Sequence, residues 1–145
     1  MSDGTFRDEF AGCPRCSKPL DPGADRVNCE NCRGVLIADK HVLQVVIDTI
    51  KQPLDALPLE DRTAREPNLI CPACRNPMAP HSLYGIAIDR CETHGLWFDG
   101  DELAQMMRKV QAEVPSNKIT TAQKVTAGAY FTGLIVLNII RFLYF

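Results

Sequence analysis

Eight residues with metal-binding side chains fall into four pairs, and two residues separate the partners of every pair. The pairs are Cys13 and Cys16, Cys29 and Cys32, Cys71 and Cys74, and Cys91 and His94. Ligands at this spacing can turn tightly around one ion, and two such pairs complete a tetrahedron. Four ligands that leave no vacant position are typical of structural zinc. The sequence therefore predicts two Zn²⁺ ions, one with four cysteines and one with three cysteines and a histidine.

The two predicted sites lie in an internal repeat that extends beyond the ligands. In both copies a proline, Pro19 or Pro77, follows three residues after the second cysteine. After the last ligand comes a glycine, Gly34 or Gly95, and then three apolar residues, with one extra residue before the glycine in the first copy. A repeat of this kind predicts two copies of one small structural unit.

Short antiparallel β-hairpins, each followed by a short helix, are predicted to position the ligands. Apolar residues recur at helical spacing after Asp39, which we expect to cap the first helix. In the second copy, residues 82–89 are expected to form a hairpin that bends near Gly85. Asp99 and Glu102 fit a capping box at the start of a second helix. The predicted fold class is a small, metal-dominated α+β protein of two tandem zinc ribbons, with a C-terminal hydrophobic helix.

The pattern divides the chain into six segments. They are a loose N-terminus (1–12), the first ribbon and helix (13–52), a connector (53–70), the second ribbon and helix (71–112), a linker (113–124) and a hydrophobic C-terminal helix (125–145). A ribbon of roughly 35 residues cannot bury enough apolar surface to fold alone. Structural zinc contributes an apparent ~10–16 kcal/mol in peptides near neutral pH. We therefore expect each ribbon to unfold when its metal is removed.

Cysteine usage and charge limit the compartment and the partners. Cysteines in these pairs suit metal better than a disulfide framework, and thiolate ligands need a reducing compartment such as the cytosol. The N-terminal residues show no signal-peptide pattern. Residues 1–112 carry 13 Lys and Arg against 17 Asp and Glu, a net charge of −4, whereas residues 113–145 carry +2. An acidic soluble part does not favour nucleic acid as the main partner.

Residues 125–145 are the second informative stretch. As a helix they would extend about 31 Å, close to the hydrocarbon thickness of a bilayer. Arg141 lies near the end and could extend to the far interface, while Lys118 and Lys124 place the ribbons on the cytoplasmic side. The sequence thus predicts a membrane anchor; the alternative is a hydrophobic helix buried in a homo-oligomer or against a partner. Ala129 and Gly133 form a small-xxx-small pair that would suit a homodimer.

One set of residues in the second copy forms a recognisable motif: Cys71, Pro72, Cys74, Asp89, Arg90, Cys91, His94, Gly95, Trp97, Phe98, Asp99, Glu102 and Leu103. With this motif the second copy resembles the bacterial TFIIB-type zinc-ribbon domain family over about residues 69–110. His94 stands where the family usually has cysteine, and zinc accepts either. The first copy is degenerate, since it lacks the tryptophan and the Asp-x-x-Glu start. The resemblance implies a zinc-ribbon fold and zinc binding, and it says nothing about the tail.

Three functions remain open from the sequence. The favoured one is a non-enzymatic, membrane-tethered adaptor that presents two ribbons to a protein partner. The alternative is a soluble, transcription-related protein that binds nucleic acid or RNA polymerase, and a rubredoxin-like iron site at the four-cysteine cluster is a third. We predict no catalytic residues, because the acids at the second helix start suit a helix N-terminus. Trp97 is expected in the core, and His41 and His81 are not expected to be ligands.

Overall fold

The described strands form one antiparallel sheet that runs through both copies of the repeat. The structure is a computed structural model, and it describes residues 10–63 and 67–114. The strands are β1 (Asp21–Pro22), β2 (Arg26–Asn28), β3 (Val35–Ile37), β4 (Leu59–Asp61), β5 (Ala79–Leu83), β6 (Ile86–Cys91) and β7 (Gly95–Phe98). Their order in the sheet is β1-β2-β3-β7-β6-β5-β4. The helices are α1 (Asp39–Ile50) and α2 (Glu102–Ala112).

The two copies join where β3 pairs with β7. The apolar triplets that follow Gly34 and Gly95 are equivalent in the repeat, and they run antiparallel with Leu36 opposite Trp97 at the centre. Because equivalent residues face each other across this centre, the pairing has the form of a two-fold interface built within one chain. We call this pairing the junction. The two ribbons therefore share one sheet.

One face of the sheet carries the helices. Side chains alternate along a strand, so the outer residues of each triplet point to the same face. This face forms a buried cluster with α1 and α2, which also contact each other. Its members are Val35, Ile37, Val42, Val46, Leu83, Ile86, Ile88, Leu96, Phe98, Leu103, Met106, Met107 and Val110. Both units therefore contribute to a single apolar core.

The opposite face carries the predicted metal ligands. The central residues of the two triplets, Leu36 and Trp97, point here and are buried with cysteines from both copies. Trp97 is 0% exposed, which confirms its predicted place in the interior. The buried members of this second cluster are Cys13, Val27, Cys29, Leu36, Cys71, Met78, Cys91 and Trp97.

The helix starts differ from the predicted caps. The cap by Asp39 is wrong: α1 begins after Ala38 with no side-chain cap, and the Asp39 carboxylate accepts two hydrogen bonds from Arg90 at 2.8 and 3.0 Å. Half of the capping box is present, since the Asp99 N–H donates to Glu102 Oε2 at 2.8 Å. The Asp99 carboxylate instead accepts from Trp97 Nε1 at 2.8 Å. At Asp39 a partner distant in the sequence occupies the expected capping group, and at Asp99 a side chain only two residues away does so.

Two further features bear on the predictions. The hairpin that bends at Gly85 is present, and Tyr84 and Gly85 both have positive φ, as a tight hairpin turn requires. Within the predicted connector, β4 pairs with β5 and extends the sheet. Leu54, Leu57 and Leu59 of the connector pack against the core.

The predicted C-terminal helix, residues 125–145, lies outside the described residues. In the ranges 10–63 and 67–114, neither helix has the length and apolar character needed to cross a bilayer.

Candidate metal centres

Repeated backbone turns place the cysteines. In the first turn, the Ser17 N–H donates to the Cys13 carbonyl at 2.9 Å, and the Cys13 N–H donates to the Lys18 carbonyl at 2.8 Å. The turns that start at Cys29 and Cys71 have the same two bonds, at 2.8 Å each. Such a turn brings its first and fourth side chains to the same side, which is what a shared metal ion requires.

Each of these turns ends in a left-handed residue. Ser17, Arg33 and Arg75 have φ between 61° and 62°, and each lies four residues after the first cysteine of its pair. The equivalent residue in the fourth turn is Gly95, with φ of 109°. A Cβ on Gly95 would lie 2.1 Å from the Ile37 carbonyl oxygen. Glycine is therefore required at this fourth position by both the backbone conformation and the close approach of the neighbouring strand.

The first predicted site brings its four cysteines together. The sulfurs of Cys13 and Cys32 lie 3.5 Å apart, and those of Cys16 and Cys29 lie 3.4 Å apart. All four ligand atoms lie within 4.8 Å of one another. Cys13 and Cys29 are buried and the other two are half-buried, so the cluster lies at the edge of the core.

The second predicted site brings together three cysteines and a histidine. The sulfurs of Cys74 and Cys91 are 3.6 Å apart, and His94 Nδ1 lies 3.6 Å from Cys91 Sγ and 3.8 Å from Cys71 Sγ. All four ligand atoms again lie within 4.8 Å of one another. The histidine therefore offers Nδ1, the ring nitrogen nearer the backbone.

These distances fit tetrahedral zinc. With Zn–S bonds of about 2.3 Å, tetrahedral geometry places neighbouring sulfurs about 3.8 Å apart, and a sulfur and a ring nitrogen about 3.6 Å apart. The sulfur pairs lie 3.4 to 3.6 Å apart and the sulfur–nitrogen pairs 3.6 to 3.8 Å apart, each within about 0.4 Å of the tetrahedral value. Backbone amides near the clusters also point at sulfur, as where the Arg15 N–H donates to Cys13 Sγ at 3.4 Å. The protein thus has two zinc sites, each with four ligands.

Burial and backbone hydrogen bonds give the thiols unequal acidity in the metal-free protein. Burial raises the pKa of Cys13 to about 12 and that of Cys71 to about 12. The Lys18 N–H lowers the pKa of Cys16 to about 7, and the Asn76 N–H lowers that of Cys74. Without metal, the first cysteine of each site therefore keeps its proton at neutral pH, and zinc must displace it.

Charged groups from both units meet beside the zinc sites. Arg15, in the first turn, forms an ion pair with Asp99 of the second unit, and its Nε donates to Asp99 Oδ2 at 2.7 Å. Arg15 also lies 4.0 Å from Asp89. The hydrogen bond to Asp99 raises the pKa of Arg15, and burial raises the pKa of the neighbouring Glu102. Sequence reasoning missed this group, because nothing in the spacing connects Arg15 with Asp99.

The two remaining histidines lie away from the clusters. His41 lies 3.9 Å from an oxygen of Asp25, and His81 lies 3.2 Å from an oxygen of Asp61. Neither belongs to a group of potential metal ligands among the described residues.

Comparison with known proteins agrees with this geometry. Residues 70–109 match the family of TFIIB-type zinc ribbons, described as a transcription factor zinc-finger. The second unit is a TFIIB-type zinc ribbon. The first four-cysteine cluster lies outside the matched residues, and its repeated turns and sheet position indicate a second zinc-binding unit of the same kind. Searches of the curated proteins and of the solved structures each found no match.

Proposed function

We propose that the tandem ribbons form a non-enzymatic adaptor, in which zinc holds a rigid platform for a protein partner. The observation that carries the proposal is the closure of both sites: each cluster already supplies four ligands. Catalytic zinc keeps a position open for water or substrate, and structural zinc does not. On this basis the metal maintains the shape of the platform and takes no part in chemistry.

The platform has little apolar surface to offer. Trp97, the large aromatic residue of the family motif, is wholly buried and serves the junction. Among the described residues, Ile70 is the exposed large hydrophobic side chain, at 44%. Permanent interfaces usually have an apolar centre, and transient ones are more polar. We therefore expect a polar, reversible contact with the partner.

Charge favours a basic protein surface as the partner. The chain has a net charge of −2 before metal ligation is considered. Four thiolates around Zn²⁺ leave a charge of about −2, and three thiolates with a neutral imidazole leave about −1. Zinc-loaded ribbons are thus more acidic than the sequence count suggests. This charge repels nucleic-acid phosphates and attracts basic protein patches.

A membrane tether completes the proposal. Its support is the apolar sequence of residues 125–145, preceded by Lys118 and Lys124. These positive charges favour a cytoplasmic position for the ribbons. A tether would raise the local concentration of the platform near membrane-bound partners, which suits a contact that is weak in solution.

Membrane partition tests the tether. The full chain and a version that ends at Glu113, one residue beyond α2, are expressed and fractionated, and the membranes are washed with alkaline carbonate. We expect the full chain to remain in the membrane and the shorter version to be soluble with two zinc ions per chain. Equal solubility of the two would refute the tether and favour a C-terminal helix that packs in an assembly.

Partner capture tests the adaptor. The shorter version serves as bait, and a matched bait carries Glu30→Lys and Glu92→Lys, which reverse two exposed acids in the metal-binding turns. We expect the first bait to retain a specific protein in low salt and the reversed bait to lose it. Retention of the same protein by both baits would show that these acids are not the contact.

The second candidate function is a role in transcription, which the family description of residues 70–109 favours. Its direct form predicts salt-sensitive binding to DNA or RNA, and its indirect form predicts binding to RNA polymerase. Binding assays at low salt, with the zinc-loaded protein and each of these three molecules, distinguish the two forms. Metal analysis of the same sample tests the iron alternative. A rubredoxin-like site would contain iron in place of zinc and would make the protein red.

A further inference from the structure

The second hydrophobic cluster lies between the two zinc sites and contains parts of both. It buries Cys13 and Cys29 of the first site, Cys71 and Cys91 of the second site, and Trp97 in one group. We propose that the two zinc sites are energetically coupled: zinc at one site strengthens binding at the other, so that the chain gains and loses its two ions together. Coupling would make the platform all-or-none with respect to zinc.

The first link is a direct contact between the first site and Trp97. Gly34 follows the last ligand of the first site, and its carbonyl accepts the Cys29 N–H at 2.8 Å. A Cβ on Gly34 would lie only 2.3 Å from Trp97 Cζ2. The backbone of the first metal turn therefore lies against the indole ring, and a shift of this turn on zinc loss would remove the support of that ring.

The second link is a chain of hydrogen bonds from Trp97 to a sulfur of the first site. Trp97 Nε1 donates to one Asp99 oxygen at 2.8 Å, and Arg15 Nε donates to the other at 2.7 Å. The Arg15 backbone N–H donates to Cys13 Sγ at 3.4 Å. Trp97 and Asp99 lie three and five residues after the second-site ligand His94. One continuous set of contacts thus connects the two sites.

The third link holds the turns of the second site against the first unit. The Ala11 N–H, two residues before Cys13, donates to the Pro72 carbonyl at 2.9 Å, between the ligands of the second site. Gly95, next to His94, lies against the Ile37 carbonyl at the junction. Each site is therefore supported by backbone of the other unit.

Coupling follows because zinc binding and folding are one process in domains of this size. Loss of one ion frees a unit that cannot hold itself, and that unit supplies half of the junction and half of the cluster at Trp97. The remaining site then binds zinc on a platform with fewer native contacts, which lowers its affinity. The same argument applies in both directions, as thermodynamic linkage requires.

The test compares zinc binding by three full-length proteins in competition with a chromophoric chelator. The wild type gives the product of two association constants. Cys16→Ser with Cys32→Ser, which spares the buried cysteines of the first site, gives the constant of the second site. Cys74→Ser with His94→Gln gives the constant of the first site. Independent sites make the product of the two single-site constants equal to the wild-type product.

We expect the wild-type product to exceed the product of the single-site constants by at least tenfold. A ratio of one, within error, overturns the proposal. Because ligand substitutions can disturb more than the metal, a second comparison keeps all eight ligands. Gly34→Ala forces its new Cβ against Trp97, whereas Glu30→Ala changes an exposed side chain in the same metal turn.

The second comparison uses cadmium-113 in place of zinc, so that the S₄ and S₃N sites give separate resonances and can be followed individually. We expect the second site of the Gly34→Ala protein to lose its ion to a chelator at least tenfold faster than that of the Glu30→Ala protein. Equal rates at the second site would show that the contact with Trp97 does not transmit the effect, and would contradict the proposal.

Discussion

Replacing Trp97 by phenylalanine tests the structural role of the junction. The indole is fully buried and donates to the Asp99 carboxylate at 2.8 Å. Loss of a hydrogen bond to a charged group costs about 1.5–3 kcal/mol, and the smaller ring leaves a void that costs about 1–2 kcal/mol more. We therefore expect Trp97→Phe to lower the free energy of unfolding by about 2.5–5 kcal/mol.

The assay is urea unfolding of zinc-loaded protein, followed by circular dichroism at a fixed free zinc concentration, because metal binding contributes to the measured stability. Asp99→Asn is the matched control, since its amide oxygen can still accept from Trp97 Nε1, whereas its NH₂ group cannot accept from Arg15 and the ion pair is lost. We expect a cost of about 1 kcal/mol for the control, because the carboxylate is 26% exposed. A cost below about 1 kcal/mol for Trp97→Phe, or one equal to that of the control, would refute the role of the buried indole.

Three further predictions concern the junction and the metal. Gly95→Ala should lower the free energy of unfolding by at least about 3 kcal/mol or prevent folding, because the new Cβ meets the Ile37 carbonyl oxygen at 2.1 Å. Gly85→Ala should cost only about 1 kcal/mol, because Gly85 also has a positive φ but has open space around it. Urea unfolding of the two variants compares these costs. Arg90→Met should lower stability by about 1–2 kcal/mol, because it breaks the paired hydrogen bonds to Asp39 between the units. Acid should release zinc, because the buried first cysteine of each site has a pKa of about 12 without metal and takes up the proton that zinc displaced. The affinity for zinc should fall about tenfold per pH unit for each proton taken up. Titration with a chelator between about pH 8 and 5 would measure this fall.

A specific result would contradict each of these three predictions. Equal costs at Gly95 and Gly85 would mean that β7 does not approach the first unit closely. Arg33→Met is the control for Arg90, since its ion pair with Asp101 is exposed, at 72% and 61%, and should contribute little. Equal effects at Arg90 and Arg33 would remove the cross-unit role of Arg90. Zinc affinity that does not change with pH would contradict displacement of protons from the buried thiols.

Local chemistry made the metal sites predictable from the sequence. The spacing of the cysteine pairs depends on a turn of a few residues, and the structure brings all eight predicted residues into two groups of four. The hairpin at Gly85 and the two helices follow from equally local patterns. In each case the information lies within a short segment, where spacing and residue type determine the structure.

The junction was not predictable, because it depends on contacts between segments far apart in the sequence. Each of the triplets after Gly34 and Gly95 pairs with a strand of its own unit, β2 or β6, and nothing in either segment specifies that their other edges pair with each other. The same limit explains the wrong cap at Asp39, whose carboxylate has Arg90 as a partner. An aspartate near a helix start is a good local signal for a cap, but here the Arg90 guanidinium of β6 competes for its carboxylate.

Zinc K-edge X-ray absorption of the purified protein tests the central claim, that both zinc sites are closed and structural. Seven sulfurs and one ring nitrogen shared by two ions predict four-coordinate zinc with an average of about 3.5 sulfur ligands and 0.5 nitrogen ligands per ion. Such a spectrum, with two zinc ions per chain, would support a platform that zinc shapes and does not use for chemistry. A fifth ligand, an oxygen ligand or an average near three sulfurs would show an open position and contradict the account.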